Sequence, residues 1–199
     1  MEACGADWLH LDVMDGSFVP SITFGAQLVK SLRPCVKLVF DAHLMIVEPE
    51  RHIGDFLRAG ADILTLHIEA ANEPLLSQTL RRIREGGAKA ALSVKPGTPA
   101  QTLFPYLDQL DMVLVMTVEP GRGGQKYMPD MGQKIKALRE EITRRGLDIR
   151  IQVDGGVSKG TIALAAGAGA DTFVAGSAVF GSEDPAAAIR ELRALAAEQ

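Results

Sequence analysis

Short apolar runs recur along the chain, separated at a near-constant spacing by polar stretches with helical periodicity. The runs at residues 8–14, 37–45, 63–69, 90–95, 112–118, 149–154 and 172–177 predict seven strands. Between most of them, the recurrence of apolar positions predicts helices over 50–59, 73–85, 131–145, 159–168 and 185–198. Strand and helix alternating, with Gly or Pro at the junctions, implies a parallel sheet with right-handed crossovers.

An internal repeat gives this pattern a period. Gly5-Ala6-Asp7, Gly60-Ala61-Asp62 and Gly169-Ala170-Asp171 each open an apolar run, 55 and 109 residues apart. These offsets are close to two and four units of about 27 residues. Glycine stops a helix in a left-handed turn, and aspartate leads from the turn into a buried strand. The 199 residues hold seven such units and a fraction, whereas a closed (β/α)8 barrel holds eight. The expectation is therefore an α/β TIM (β/α)8-type barrel, a single domain over 1–199, with seven recognisable strands and its first β/α unit missing. A doubly wound open sheet fits less well. No G-x-G-x-x-G follows an early strand, and the polar residues fall at several strand ends, as on the top face of a barrel.

Alternation along a strand places residues two apart on one face. In 8–14 this puts His10, Asp12 and Met14 together, with Leu9, Leu11 and Val13 opposite. In 37–45 it groups Asp41, His43 and Met45, and 149–154 ends on Asp154. Any one of these residues alone reads as an ordinary structural side chain. Together, two imidazoles and two carboxylates at three strand ends can converge on one divalent cation. The donor set suits Zn, Fe, Mn or Co better than Mg. His67 and Glu69 share a face in the same way and read as structural. Met14, Met45 and Met116 can form an apolar, polarisable cover over the ion.

Three late strand ends are rich in small residues: Pro120-Gly121-Arg122-Gly123-Gly124-Gln125, Gly155-Gly156 and Gly176-Ser177. Glycine lets backbone N–H groups approach an oxyanion, and late loops are the usual phosphate site of such barrels. The bulk properties remove other classes. A net charge of −4 and a pI near 5.6 argue against nucleic acid or an anionic membrane as partner. No apolar run approaches the roughly 20 residues of a membrane span. Cys4 and Cys35 have neither metal nor redox spacing and read as reduced thiols. The expected location is the cytoplasm. A homo-oligomer is one assembly that such a barrel allows.

In these same segments the chain resembles the ribulose-phosphate 3-epimerase family. The resemblance is carried by GADWLHLDVMDGSFVPSITFG, FDAHLM, KPGT, DMVLVMTVEPGRGGQK, VDGGV and VAGSAVF, spread over nearly the whole length. It implies interconversion of D-ribulose 5-phosphate and D-xylulose 5-phosphate by metal-assisted, two-base proton transfer at C3. The implied ligands are His10, Asp12, His43 and Asp154, with Asp12 and Asp154 as the acid/base pair. The sugar phosphate would be held by His43, by Gly121, Arg122, Gly123 and Gly124, by Gly155 and Gly156, and by Gly176 and Ser177. Two departures stand out: Arg122 occupies a loop position where the family usually carries Phe, and the family begins with a strand and helix ahead of Gly5. The alternatives are a 3-epimerase of a hexulose phosphate such as allulose 6-phosphate, and an inactive phosphosugar-binding barrel. A phosphosugar decarboxylase is disfavoured, because Asp41-Ala42-His43-Leu44-Met45-Ile46 lacks the lysine and second aspartate of a D-x-K-x-x-D pattern.

Overall fold

The computed structural model describes all 199 residues. Seven strands, β1 (Trp8–Met14), β2 (Val39–Met45), β3 (Ile63–His67), β4 (Lys89–Val94), β5 (Met112–Met116), β6 (Arg150–Asp154) and β7 (Thr172–Val174), form one sheet in sequential order, every pair parallel. Outside it lie α1 (Ala26–Leu32), α2 (Ile53–Ala59), α3 (Glu73–Glu85), α4 (Met131–Arg145), α5 (Ile162–Gly167), α6 (Ser177–Phe180) and α7 (Pro185–Ala197). The sheet curls into a nearly closed barrel. β1 and β7 each pair with one strand only. That difference is visible in burial: every residue of β3 and β5 is buried, whereas β7 is half-exposed throughout.

The G-A-D repeat acquires a physical role. Gly60 ends α2 at φ 91°, and a Cβ there would approach the Arg33 side chain to 2.8 Å, so a side chain is excluded sterically as well as conformationally. The aspartate that follows holds the base of the preceding strand. Asp62 Oδ2 accepts the Phe40 N–H at 2.7 Å and the Arg33 guanidinium at 2.8 Å. Asp171 likewise accepts the Ile151 N–H at 3.2 Å and Arg139 at 2.6 Å. At these two copies the repeat ties the unit to the strand before it, whereas Asp7 of the first copy pairs with Arg193 of α7 at 2.8 Å.

Alternation sorts the core. Leu11, Val13, Phe40, Ala42 and Leu44 face outward into the main cluster between sheet and helices. Ile63, Ala91 and Met112, with Trp8 and Val39, plug the barrel floor, and Leu114, Met116 and Val118 line its inner wall higher up. Several boundaries differ from expectation. Pro49 starts a 3-10 turn, Pro49–Arg51, so α2 begins at Ile53 rather than 50. α1 and the 3-10 stretch Ala100–Gln109, which contains Pro105, have no counterpart among the expected helices. Ser177 does not end β7. It opens α6, with Gly176 as N-cap.

Candidate active site

At the carboxyl ends of the strands, His10, Asp12, His43 and Asp154 bring their ligand-type atoms within 4.8 Å of one another. β1 and β2 are neighbours, and the register setting Asp12 beside His43 and His10 beside Asp41 is local. Asp154 comes from β6, four strands away from β2 along the sheet; curling of the barrel carries it across the lumen. His43 Nδ1 lies 3.0 Å from Asp12 Oδ1 and 3.9 Å from Asp154 Oδ2. His10 Nε2 lies 3.2 Å from Asp12 Oδ1, buried and without a hydrogen-bond partner. A buried ring nitrogen aimed at two carboxylates and a second imidazole is what a divalent ion requires. The four residues fit such an ion.

Asp41, beneath this cluster, was legible in the sequence only as a neighbour on the His43 face. It is fully buried and accepts from His10 Nδ1 at 2.7 Å, Gln152 Nε2 at 2.7 Å and Thr65 Oγ1 at 3.2 Å. Burial alone would raise its pKa, but the His10 charge and the bonds from His10 and Gln152 pull it below the usual carboxylate range. Burial opposes protonation of His10 too, but the Asp41 and Asp12 carboxylates together outweigh it, leaving the pKa of that imidazole well above its ordinary value. His10 thus presents Nε2 to the site while Asp41 holds Nδ1–H, a common backing for a metal-bound imidazole.

The two carboxylates of the cluster are electrostatically unlike. Burial works against ionisation of Asp12, yet the imidazoles of His10 and His43 close beside it drive its pKa far down. For Asp154 burial and the Asp12 charge both act upward, and its pKa is raised. The Asp12 side chain is 40% exposed and that of Asp154 16%, so one opens toward the mouth and the other sits deeper.

His67 and Glu69 read as structural, and their distances specify how: His67 Nε2 lies 2.9 Å from His43 Nε2, and His67 Nδ1 lies 3.1 Å from Glu69 Oε2. Burial lowers the His67 pKa to about 4, against the pull of Glu69. Phe18, which no pattern singled out, packs against His67 with its ring tilted by 48° and 4.8 Å between ring centres, and the Lys95 ammonium lies 3.8 Å from the centre of the Phe18 ring. Phe18 is held there because Asp15 Oδ1 accepts its N–H at 2.9 Å and that of Ser17 at 2.8 Å.

Met45 and Met116 are buried on the inner face, and Met14 is half-buried opposite Met45 in register. Among the late loops, Gly121 has φ 107° and packs on Val19, where a Cβ would come within 2.9 Å. Gly123 and Gly124 face open space, and the Gln125 amide closes this loop by donating to Glu119 O at 2.6 Å and Arg122 O at 2.8 Å. The Arg122 side chain is exposed. Gly155 and Gly156 follow Asp154 directly and have φ 119° and 66°. A side chain on Gly155 would overlap Val118, and one on Gly156 the Tyr127 backbone. Gly176 and Ser177 turn into α6 at the same end of the barrel. A cleft of about 860 Å³ lies outside the barrel between α1 and α2; Met14 is the only proposed site residue that lines it. No helix is long and apolar enough to cross a membrane.

With this geometry in hand, the chain can be set beside known proteins. A ribulose-phosphate 3-epimerase of Candida glabrata is 49% identical over 197 residues, covering 91% of this chain and 78% of that protein. The Bacillus subtilis ribulose-phosphate 3-epimerase is 48% identical over 194 residues, covering 97% and 88%. The crystal structure of a 3-hexulose-6-phosphate synthase from Salmonella typhimurium superposes with a TM-score of 0.69 at 19% identity, over 96% of this chain and 99% of that one. At that identity the likeness speaks for the fold alone. The model of the ribulose-phosphate 3-epimerase family matches residues 1–180, and with relatives near half identity over almost its whole length, the chain belongs to that family.

Proposed function

We propose that this barrel interconverts D-ribulose 5-phosphate and D-xylulose 5-phosphate, one carboxylate removing the C3 proton and a second supplying a proton to the opposite face. One observation carries the mechanism: Asp12 and Asp154 reach the same small space from strands on different sides of the lumen. The C3–H is α to the C2 ketone and weakly acidic. Inversion needs its removal on one face and return on the other, which a single base cannot perform. Asp12, opening toward the mouth, and Asp154, lying deeper, are placed to serve opposite faces of C3, one taking a proton while the other supplies one. Their titrations are coupled, since one must hold a proton whenever the other does not.

His10, Asp12, His43 and Asp154 would hold a divalent ion of the Zn, Fe, Mn or Co class. When bound, that ion would offset negative charge developing on the C2 and C3 oxygens. His43, buried between the carboxylates, orients the substrate's reacting end. Met14, Met45 and Met116 supply apolar surface that keeps water from it. The backbone of Gly121, Gly123 and Gly124, of Gly155 and Gly156, and of Gly176 and Ser177 would receive the phosphate, with Arg122 a flexible cation at the rim.

The test is deuterium uptake from solvent by each epimer, with a hexulose phosphate as a further substrate and metal content measured in every sample. Asp154→Asn is expected to abolish net epimerisation while Asp12 still exchanges the C3 hydron of one epimer. Asp12→Asn should show the converse. Unchanged turnover in either metal-loaded variant would refute the two-base scheme.

A further inference from the structure

We propose that Glu69 and His67 are positioning residues that dictate which nitrogen of His43 carries its proton, and so keep His43 Nδ1 free to bind the metal. The proposal rests on the metal reading above and adds two residues to it. His43 is fully buried, and its two nitrogens face different surroundings. Nδ1 faces Asp12 and Asp154, which makes it the ligating atom. Nε2 meets His67 Nε2 at 2.9 Å.

A nitrogen–nitrogen contact of that length contains one proton, donated by one ring and accepted by the other. A ligating Nδ1 has no proton, so the proton of His43 sits on Nε2 and is donated to His67. His67 Nε2 is then the acceptor, and its own proton lies on Nδ1, pointing at Glu69 Oε2 3.1 Å away. The opposite arrangement would set the lone pair of His67 Nδ1 against a carboxylate. Glu69 is itself held: Oε1 accepts the Lys95 N–H at 2.7 Å and the Thr98 hydroxyl. Lys134 Nζ donates to the Lys95 and Pro96 carbonyls at 2.8 and 3.0 Å. One direction of donation therefore runs from His43 through His67 to a carboxylate anchored on the loop after β4, a strand that contributes no ligand. His10 reaches the same result in one step, through Asp41.

Glu69→Gln tests the direction, because the two side chains have the same shape. Lys95 N–H can only donate, so the amide oxygen must take the Oε1 position and the NH2 must face His67. His67 Nδ1 would become an acceptor, its proton would move to Nε2, and the proton of His43 would be driven onto Nδ1, toward the metal. Zn affinity of the full-length protein, measured by chelator competition, should fall about 10–100-fold, as for other residues that back a metal ligand. The thermal midpoint of the metal-free protein should change little. In the Zn-loaded parent, 15N NMR of the imidazoles should place the protons on His43 Nε2 and His67 Nδ1, a readout that decides the matter even if the variant does not fold. Equal Zn affinity in Glu69→Gln and the parent, or a proton on His43 Nδ1 in the loaded parent, would overturn the relay alone. A parent that takes up no Zn, Mn, Co or Fe would overturn the metal reading and the relay with it.

Discussion

Replacing Asp41 by alanine strands three donors inside the barrel: His10 Nδ1–H, Gln152 Nε2–H and the Thr65 hydroxyl, all of which bond to its carboxylate. A buried donor without a partner costs about 1–3 kcal/mol, so the gross loss is roughly 3–9 kcal/mol. Against this, the folded state no longer has to hold a desolvated carboxylate, itself a penalty of several kcal/mol. Removing one partner of a buried ionic pair typically leaves a net loss of about 3–5 kcal/mol. For a chain of this length each kcal/mol lowers the thermal midpoint by about 2–4 °C, which puts the expected drop between roughly 6 and 20 °C. Asp41→Asn separates hydrogen bonding from charge. Its oxygen can still accept from His10 and Gln152 and its NH2 can donate to Thr65, so only the ionic strengthening of two bonds is lost, about 1–2 kcal/mol. Both variants should bind Zn about 10–100-fold more weakly, because His10 Nε2 loses its electron-rich support. Calorimetry on metal-free protein and chelator competition on the same samples supply the numbers. An Asp41→Ala midpoint within about 2 °C of the parent, or equal losses for Asn and Ala, would refute this account.

Gly156→Ala should be costly and Gly123→Ala nearly neutral. The first forces a left-handed residue (φ 66°) and a Cβ 2.8 Å from Tyr127 Cα and 2.9 Å from Gln125 O, about 2–5 kcal/mol in all. The second meets nothing within 4 Å, so urea midpoints close to each other would show that the packing around Gly156 has been misjudged. The buried His67, with a pKa of about 4 against an ordinary 6.5, makes the metal-free fold acid-sensitive. Between those values the unfolded chain binds a proton that the folded one refuses, so stability falls as pH drops from 6.5 toward 4, by about 3 kcal/mol at most. His67→Gln should flatten that part of the stability–pH curve, and an unchanged slope would count against the assignment.

Much of this barrel was legible in the residue pattern because the relevant rules are local. A period of two along 8–14 and 37–45 places His10 with Asp12 and His43 with Met45, whatever the rest of the chain does. The G-A-D repeat marks where helices stop and strands begin, and the strands follow at the positions expected. α6, a single turn, and the 3-10 stretch interrupted by Pro105 escaped because neither sustains a helical period, and the short α1 escaped with them. Which side chains meet across the lumen is a different kind of fact. Asp154 reaches Asp12, and Gln152 reaches Asp41, only because twist accumulated over successive parallel pairs curls β6 back toward β1 and β2. Sequence alone determined the faces, the ligand-type residues and the glycine-rich ends. Tertiary structure decided that Asp41 is a buried support beneath His10 and that His67 bonds to a ligand-type imidazole. Both depend on the register in which neighbouring strands pair, which no period within a single strand encodes.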